Sequence, residues 1–409
     1  MGFVTYAAGG KPAENYMGDF SKKDLTKEYT YDELWEKVFN SEDSSLPRPL
    51  TKAHRIIVVD ADAIVYRISA ACEKRSVEAV IEGKKLKFKT KTKLKEHCNS
   101  IGVDFTTVDF EEKVKIEPVE NAYHTLKKTV AKIYRELNAT HVIFFLGGSY
   151  NFRTDLKLPS KYKSNRKTTR RPEHLQACRE YLNKNYDTYL VSGIEADDCV
   201  QGITEYIVNR KRAYACAYQL DKDFETSLTK NRYYHLGRDE IVELSGGLGS
   251  LKLSKNTVKG EGLMWLCFQI FLGDPSDGYS PKKFFSRIYG EKSYFKDFKD
   301  CRTEKELLLL WVEKWRELVG EEVEYIAWDG TPMKKSWLEL ANLYMQCAYM
   351  RHSPEDDTTF KSLLYRYGID VSDSGDLKCF DAPEVEKPDL DFEDEMQDST
   401  LEIKEEWEW

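Results

Sequence analysis

The sequence contains no pair of cysteines with the spacing Cys-x-x-Cys, although it has nine cysteines, and its seven histidines are scattered. A structural zinc site needs clustered ligands of these two types, and a disulfide framework needs a paired set of cysteines in a short chain. These absences argue against a zinc protein and against a disulfide-stabilised one. They favour a protein of the reducing cytoplasm.

Long apolar runs are also missing. No segment approaches the ~20 consecutive apolar residues that a membrane span requires. The start, Met1 to Tyr16, lacks the basic and then apolar order of a secretion signal. We therefore predict a cytoplasmic protein with no membrane partner. The chain is not disordered as a whole, because 25 Tyr, 19 Phe and 8 Trp among 409 residues are enough to build a large core.

Positive charge is in deficit, since the net charge is −8, but the acids are unevenly distributed. Residues 381–409 hold thirteen acids and two lysines, so the residues before 381 carry +3. A weakly basic body is compatible with a nucleic-acid enzyme that holds a carboxylate cluster. Acidic runs with sparse aromatic residues are usually disordered. We predict that residues 381–409 form a disordered tail that imitates nucleic acid or docks on a basic replication-protein partner.

Alternating apolar segments indicate the fold class. Arg55–Val59 and Val142–Leu146 are continuous apolar runs of the kind found in central parallel strands, and Tyr189–Val191 and Ala213–Gln219 add two more. Helical periodicity lies between them, and from Gly262 onward the pattern is mostly helical. The predicted fold is α/β, a mostly parallel central sheet flanked by helices, with a helical C-terminal region.

The same patterns divide the chain into parts. Residues 1–50 are interpreted as an N-terminal extension without chemistry, in which Thr30 and Glu33 form a capping box that opens a short helix. Residues 51–257 form the α/β domain, 258–352 the helical region, and 353–380 a linker to the acidic tail. Residues 245–260, rich in Gly, Ser and Lys, are predicted to be a loop.

A lysine-rich insertion at residues 74–118 interrupts the α/β domain. Six lysines at every second position from Lys85 to Lys95 follow the period of a β-strand. Such a strand is either a solvated edge whose lysines prevent aggregation or a ribbon that contacts DNA. Both alternatives stay open at this stage.

Acidic residues cluster where the predicted strands end. Glu195, Asp197 and Asp198 lie together at a strand-to-helix corner. One or two acids there would be explained by the positive end of the helix dipole. Three crowded acids repel each other and suggest a cation between them.

Further acids follow the other apolar runs, namely Asp60, Asp62, Asp221, Asp223, Asp274 and Asp277. Ligands of open α/β sheets bind outside the carboxyl ends of the strands, so we expect these acids to converge on one edge. Oxygen ligands alone favour Mg²⁺ or Mn²⁺.

Five motifs occur in a distinctive order: Asp60 after its strand, Tyr162-Lys163-Ser164-Asn165-Arg166, Gly193 to Asp198, Asp221-Lys222-Asp223-Phe224 and Gly273-Asp274-Pro275-Ser276-Asp277. In this order they resemble the 5′ nucleases of the flap endonuclease (PIN-like) superfamily, and especially the tailed-phage 5′→3′ exonucleases. The resemblance covers roughly residues 51–350.

This resemblance implies a metal-dependent 5′→3′ exonuclease acting on DNA 5′ ends in phage replication or recombination. Flap endonuclease or RNase H-like activity on flaps or RNA–DNA hybrids is a further option. If the chain is phage-encoded, it would act in the cytoplasm of a bacterial host. The helical region 258–352 would bind DNA.

The resemblance also assigns residues to roles. It implies two Mg²⁺ or Mn²⁺ ions held by Asp60, Glu195, Asp197, Asp198, Asp221, Asp223 and Asp277. It implies that Lys163 and Arg166 act on the scissile phosphate. It implies nucleic-acid contacts by Arg153, Tyr162, Lys282 and Lys283, with the Tyr162 ring stacking on an unpaired base.

Two features depart from the family pattern. Gly148 stands where the family's strand ends in a metal-binding Asp, so we expect at least one ion to be held more weakly. Residues 278–283 lack the glycine-rich turn of the family's DNA-gripping element, although Asp277 is retained. Two rival functions therefore remain, a broader PIN-like ribonuclease and a DNA-binding protein without catalysis.

Overall fold

A computed structural model of the chain describes residues 24–41, 44, 46–168, 170–211, 213–220, 222–372 and 375–381. Asp221 and all of the acidic tail except Asp381 lie outside these residues, so their predicted roles stay predictions.

The strands of the described residues are β1 (Glu28–Tyr29), β2 (Arg55–Asp60), β3 (Glu73–Ile81), β4 (Lys84–Phe88), β5 (Phe110–Ile116), β6 (His141–Asn151), β7 (Thr188–Gly193), β8 (Tyr214–Gln219), β9 (Asn231–His235), β10 (Glu240–Leu244), β11 (Ser250–Ser254), β12 (Thr257–Glu261), β13 (Glu322–Ile326), β14 (Pro332–Ser336), β15 (Ile369–Val371) and β16 (Leu377–Cys379).

The α-helices of the described residues are α1 (Tyr31–Phe39), α2 (Ala61–Ala71), α3 (Lys91–Ser100), α4 (Val119–Glu136), α5 (Leu175–Asn185), α6 (Ala196–Lys211), α7 (Gly262–Leu272), α8 (Glu291–Phe298), α9 (Glu304–Val319), α10 (Trp337–Ala348) and α11 (Phe360–Arg366).

A seven-stranded sheet in the order β1-β7-β6-β2-β8-β9-β10 positions the site. Every neighbouring pair from β1 to β9 is parallel, and β10 closes one edge as the antiparallel partner of β9. The central strand β2 is buried on both faces, which explains its unbroken apolar run. The predicted mostly parallel α/β sheet is confirmed.

Helices cover both faces of this sheet because successive residues of β2 point in opposite directions. Ile56 and Val58 pack with α1 and α6, whereas Ile57 and Val59 pack with α2, α4 and α5. Because these strands are parallel, their carboxyl ends all lie at the same edge of the sheet.

The N-terminal segment is built into this sheet. The two residues of β1 pair with β7, and α1 buries Leu34 and Val38 in the core beneath α6. The capping box that predicted α1 is present, since the Thr30 hydroxyl accepts from Glu33 N and the Glu33 carboxylate accepts from Thr30 N.

The lysine-rich insertion forms its own three-stranded sheet in the order β4-β3-β5, packed on α3. The prediction of one strand carrying all six lysines is wrong. Strand β4 ends at Phe88, and Thr90 caps α3 by accepting from Lys93 N at 3.2 Å. Leu94 and Cys98 are four residues apart and form the buried face of α3. The alternating lysines suggested a strand although these two residues have helical spacing.

The segment predicted as a loop at 245–260 is instead largely the hairpin β11–β12. Its turn is formed by Lys255 and Asn256, and Lys255 adopts a left-handed φ of 57° that suits a tight hairpin. Beyond it, α7 to α11 share a second large core. No helix in the described ranges is long and apolar enough to cross a membrane.

Candidate active site

A cavity of about 700 Å³ opens at the carboxyl ends of β2, β6 and β7, with α2 as one wall. The polar and charged residues that line it include Asp60, Asp62, Tyr66, Arg67, Asn151, Lys163, Arg166, Glu195 and Asp197. Acids from two of the predicted strand ends therefore meet at one edge.

Local backbone geometry places the acids at this edge. Asp60 is the last residue of β2 and the N-cap of α2, where its carboxylate accepts from Asp62 N at 3.1 Å. Gly193 ends β7 with a φ of 89°, a conformation that a residue with a side chain rarely adopts. The chain turns there into α6, which brings Glu195 and Asp197 to the cavity.

Asp197 and Asp198 are neighbours in opposite electrostatic surroundings. Burial, followed by repulsion from Glu195 and Asp198, raises the pKa of Asp197 well above its ordinary value. Burial also opposes ionisation of Asp198, yet the Arg153 guanidinium outweighs it, so the pKa of Asp198 lies below its ordinary value. The Asp197 carboxylate therefore resists ionisation, whereas the Asp198 carboxylate is stabilised in its ionised form.

Asp198 and Arg153 do not have their predicted roles. They form a two-pronged ion pair with distances of 2.6 and 2.8 Å, and both side chains are almost completely buried. Arg153 also donates to the carbonyls of Gln346 and Tyr349. A guanidinium with these partners cannot contact nucleic acid, and Asp198 faces it rather than the cavity.

Lys163 lines the cavity, and its predicted action on the phosphate stays a prediction. It has a left-handed φ of 54°, and its N–H donates to the carbonyl of Asp277 at 2.8 Å. Its ammonium bonds to Glu195 and lies 3.6 Å from the Asp277 carboxylate. Burial lowers the pKa of Lys163, but Glu195 and Asp277 outweigh it and raise the pKa above its ordinary value.

The Asp277 carboxylate already accepts hydrogen bonds from neighbouring side chains. Arg166 donates to it at 2.5 Å and the Tyr162 hydroxyl donates to it at 2.7 Å. Tyr162 also bonds to Glu195 and is only 3% exposed, so the prediction that its ring stacks on a base is wrong. Its role is to tie Asp277 to Glu195.

Three other predicted acids already accept hydrogen bonds from neighbouring groups. Asp223 accepts from the Gln269 amide of α7 at 2.6 Å and is not among the cavity-lining residues. Asp274 accepts from Ser276 in a buried turn. Asp62 does line the cavity, but it is bound by Arg179 and by Gly147 N.

The residues at this edge fit a divalent cation by charge and donor type. Asp60, Glu195 and Asp197 offer only oxygen ligands. Burial, followed by repulsion from Glu195 and Asp198, raises the pKa of Asp197, so a bound cation would favour its charged form. Across the described ranges, no three Asp, Glu, His or Cys side chains already converge on one point.

Sequence reasoning missed two exposed residues on the cavity wall, Tyr66 and Arg67 of α2. They follow Asp62 and Ala63 by four positions, so helical spacing alone could have placed them on the same face. Lys282 and Lys283 are exposed in a short 3₁₀ turn, and their predicted contact with nucleic acid stays a prediction.

No protein-family model and no curated protein matches this sequence. Among solved structures, it is similar to the 5′-exonuclease of phage T5 with bound zinc, at 15% identity and a TM-score of 0.37, over 72% of this chain and 89% of that one. It is also similar to a T5 flap endonuclease complex with DNA and metal ions, at 15% identity and a TM-score of 0.36, over the same shares. At these identities and TM-scores the similarity carries no fold argument and no residue role over to this chain.

Proposed function

We propose that this chain is a divalent-metal-dependent nuclease that hydrolyses phosphodiester bonds at DNA 5′ ends in the 5′→3′ direction. One observation carries the proposal. A single cavity at the carboxyl edge of a parallel sheet combines the carboxylates of Asp60, Glu195 and Asp197 with the basic side chains of Lys163 and Arg166.

Asp60, Glu195 and Asp197 are the residues that would hold Mg²⁺ or Mn²⁺. Two such ions, when bound, would activate water and neutralise charge on the phosphate. Glu195 is bonded to both Lys163 and Tyr162, and these bonds orient its carboxylate. The sequence resemblance alone proposes Asp221, Asp223 and Asp277 as further ligands, and Asp223 and Asp277 do not line the cavity.

Lys163 and Arg166 would act on the phosphate itself. The Lys163 ammonium is a point charge at the wall of the cavity, whereas Arg166, with half of its side chain exposed, offers a planar fork of donors. Positive charge fixed beside the reacting phosphate stabilises the negative charge that develops in the transition state. The left-handed backbone of Lys163 fixes the start of its side chain.

The outer wall of the cavity suits a single nucleic-acid strand. Tyr66 is 41% exposed and presents a ring on which a base could stack, and Arg67 beside it is an exposed cation for a phosphate. Lys282 and Lys283 would contact the backbone of an adjoining duplex. Flaps and RNA–DNA hybrids are further candidate substrates.

The preference for 5′ ends rests on the order of the five sequence motifs, and the test therefore includes both ends. The protein is incubated with 5′-labelled and 3′-labelled DNA duplexes, a 5′ flap, an RNA–DNA hybrid and single-stranded RNA, each over a range of Mg²⁺ and Mn²⁺ concentrations. We expect early release of the 5′ label and loss of activity with a chelator.

Asp197→Asn is the inactive variant, and Asp155→Asn is its matched control because Asp155 is an exposed acid outside the cavity. Cleavage of RNA alone would favour the PIN-like ribonuclease. DNA binding with no cleavage of any substrate in either metal would leave the non-catalytic DNA-binding protein.

A further inference from the structure

Glu28 comes to the carboxyl edge of the sheet from the far N-terminal part of the chain. It lies in β1, opposite Leu190 of β7. Its side chain extends past β7 to the end of β6, where the carboxylate accepts from Ser149 N and from the Ser149 hydroxyl, both at 2.8 Å. This contact spans 121 residues of sequence.

Gly148 makes room for this carboxylate. A Cβ at position 148 would lie 2.8 Å from Cδ and from Oε2 of Glu28, and 2.5 Å from the carbonyl oxygen of Val191. The contact with the Val191 carbonyl oxygen is too short to be tolerated without a shift of the backbone, and the Glu28 carboxylate fills the space beside residue 148 that a side chain there would need. Gly148 itself lines the acidic cavity, and the Glu28 carboxylate therefore lies directly behind that part of its wall.

The charge of Glu28 is not cancelled by its bonding partners. Among the described residues, both of its hydrogen bonds come from neutral donors of Ser149. Asp62 and Glu195, by contrast, are paired with Arg179 and Lys163. A carboxylate has about four acceptor positions, so two hydrogen bonds leave part of its capacity unused.

We propose that Glu28 is a positioning residue for the divalent cations of this cavity. Its negative charge, delivered by β1 to the wall at Gly148, strengthens cation binding by Asp60, Glu195 and Asp197. The inference rests on the proposed metal-dependent function and deepens it, because it makes the N-terminal segment part of the metal site. An acidic residue at position 148 is not required for this, and its side chain would not fit.

The test measures Mn²⁺ binding to the full chain without DNA, from the electron paramagnetic resonance signal of free Mn²⁺. Glu28→Gln keeps the shape and one acceptor oxygen but removes the charge. We expect its Kd for Mn²⁺ to rise roughly fivefold, because removing a negative charge near the cavity wall weakens the attraction of the ion. Glu36→Gln is the matched control, since Glu36 is an exposed acid of α1 on the same segment.

Glu28→Asp separates charge from shape. It keeps the negative charge but shortens the reach to Ser149, so we expect a Kd close to that of the wild type. If Glu28 only stabilises the strand end, Glu28→Asp would lower the melting temperature of the metal-free protein at least as much as Glu28→Gln does. The Kd for Mn²⁺ would then stay unchanged in both variants.

The outcomes separate this inference from the nuclease proposal. An unchanged Kd in Glu28→Gln, or an equal rise in Glu36→Gln, overturns the role of Glu28 even if the wild type cleaves DNA. A wild type that binds Mn²⁺ through Glu28 but cleaves no nucleic acid overturns the nuclease and leaves the cation site. A wild type that binds no Mn²⁺ overturns both.

Discussion

Replacing Arg153 with methionine should lower the free energy of unfolding of the protein. It should not remove a contact with the substrate. Methionine keeps an apolar stem but removes the guanidinium that pairs with Asp198 at 2.6 and 2.8 Å. It also removes the donors to the carbonyls of Gln346 and Tyr349, which join the 3₁₀ turn after β6 to the end of α10. One side chain thus holds three segments together.

The expected loss follows from burial. Asp198 is fully buried and would keep only the backbone donors of Glu195 and Arg351, each at 3.0 Å. Removing one partner of a buried ion pair costs about 3–5 kcal/mol, because the other charge is left without compensation. We therefore expect the free energy of unfolding to fall by about 3–5 kcal/mol at pH 7.

The pH dependence gives this prediction a sign. Arg153 holds the pKa of Asp198 below its ordinary value, so the pair stabilises the fold above the unfolded pKa of about 4. That stability is lost as the pH falls through the folded pKa. The difference between wild type and Arg153→Met should therefore be largest near neutral pH and shrink below pH ~4.

Urea unfolding followed by tryptophan fluorescence, between pH 3 and pH 8, measures this difference. Arg166→Met is the control, because half of the Arg166 side chain is exposed and its pairing should be worth at most about 1 kcal/mol. If Arg153→Met were as stable as the wild type but bound DNA more weakly, the buried pair would be refuted and the original prediction of a nucleic-acid contact restored.

Three further predictions concern the cavity and the surface near it. Asp197→Asn should abolish cleavage and stabilise the metal-free protein at pH 7, because the raised pKa of Asp197 means that its ionisation opposes folding at that pH. Urea unfolding in the presence of a chelator measures the gain in stability, which should disappear as the pH falls towards the unfolded pKa. Lys163→Ala should lower kcat more than it weakens binding, whereas an effect on KM alone would make it a general phosphate contact. Replacing Lys282 and Lys283 with alanine should reduce the salt dependence of DNA binding by nearly one unit of slope per lost contact, and an unchanged slope would show that neither lysine touches the backbone.

The fold was largely predictable from sequence because its central strands carry a clear signal. Ile56–Val59 and Val142–Leu146 are apolar without interruption, as expected for strands buried on both faces. Polar hairpins could not be predicted in this way. The hairpin β11–β12 has a mostly exposed surface, so its composition resembles that of a loop.

The site was predictable in location but not in detail. Apolar runs ending in acids place Asp60 and Asp197 at one edge, because parallel strands must share their carboxyl end. No local pattern shows that Arg153 turns inward to Asp198, or that Tyr162 is buried under Asp277. Those contacts join residues 45 and 115 positions apart, and only the packed chain decides them.

The pairing of β1 with β7 also fixes an order of assembly during synthesis. Glu28 pairs with Leu190, so 162 further residues must leave the ribosome before this strand has a partner. At about 5–20 residues per second the wait lasts roughly 8 to 30 s. Until then the apolar face of α1, with Leu34 and Val38, lacks β7 and α6 as packing partners. The segment that contains β1 therefore docks only after β7 has been made, and a nascent chain that ends before Leu190 lacks this pairing.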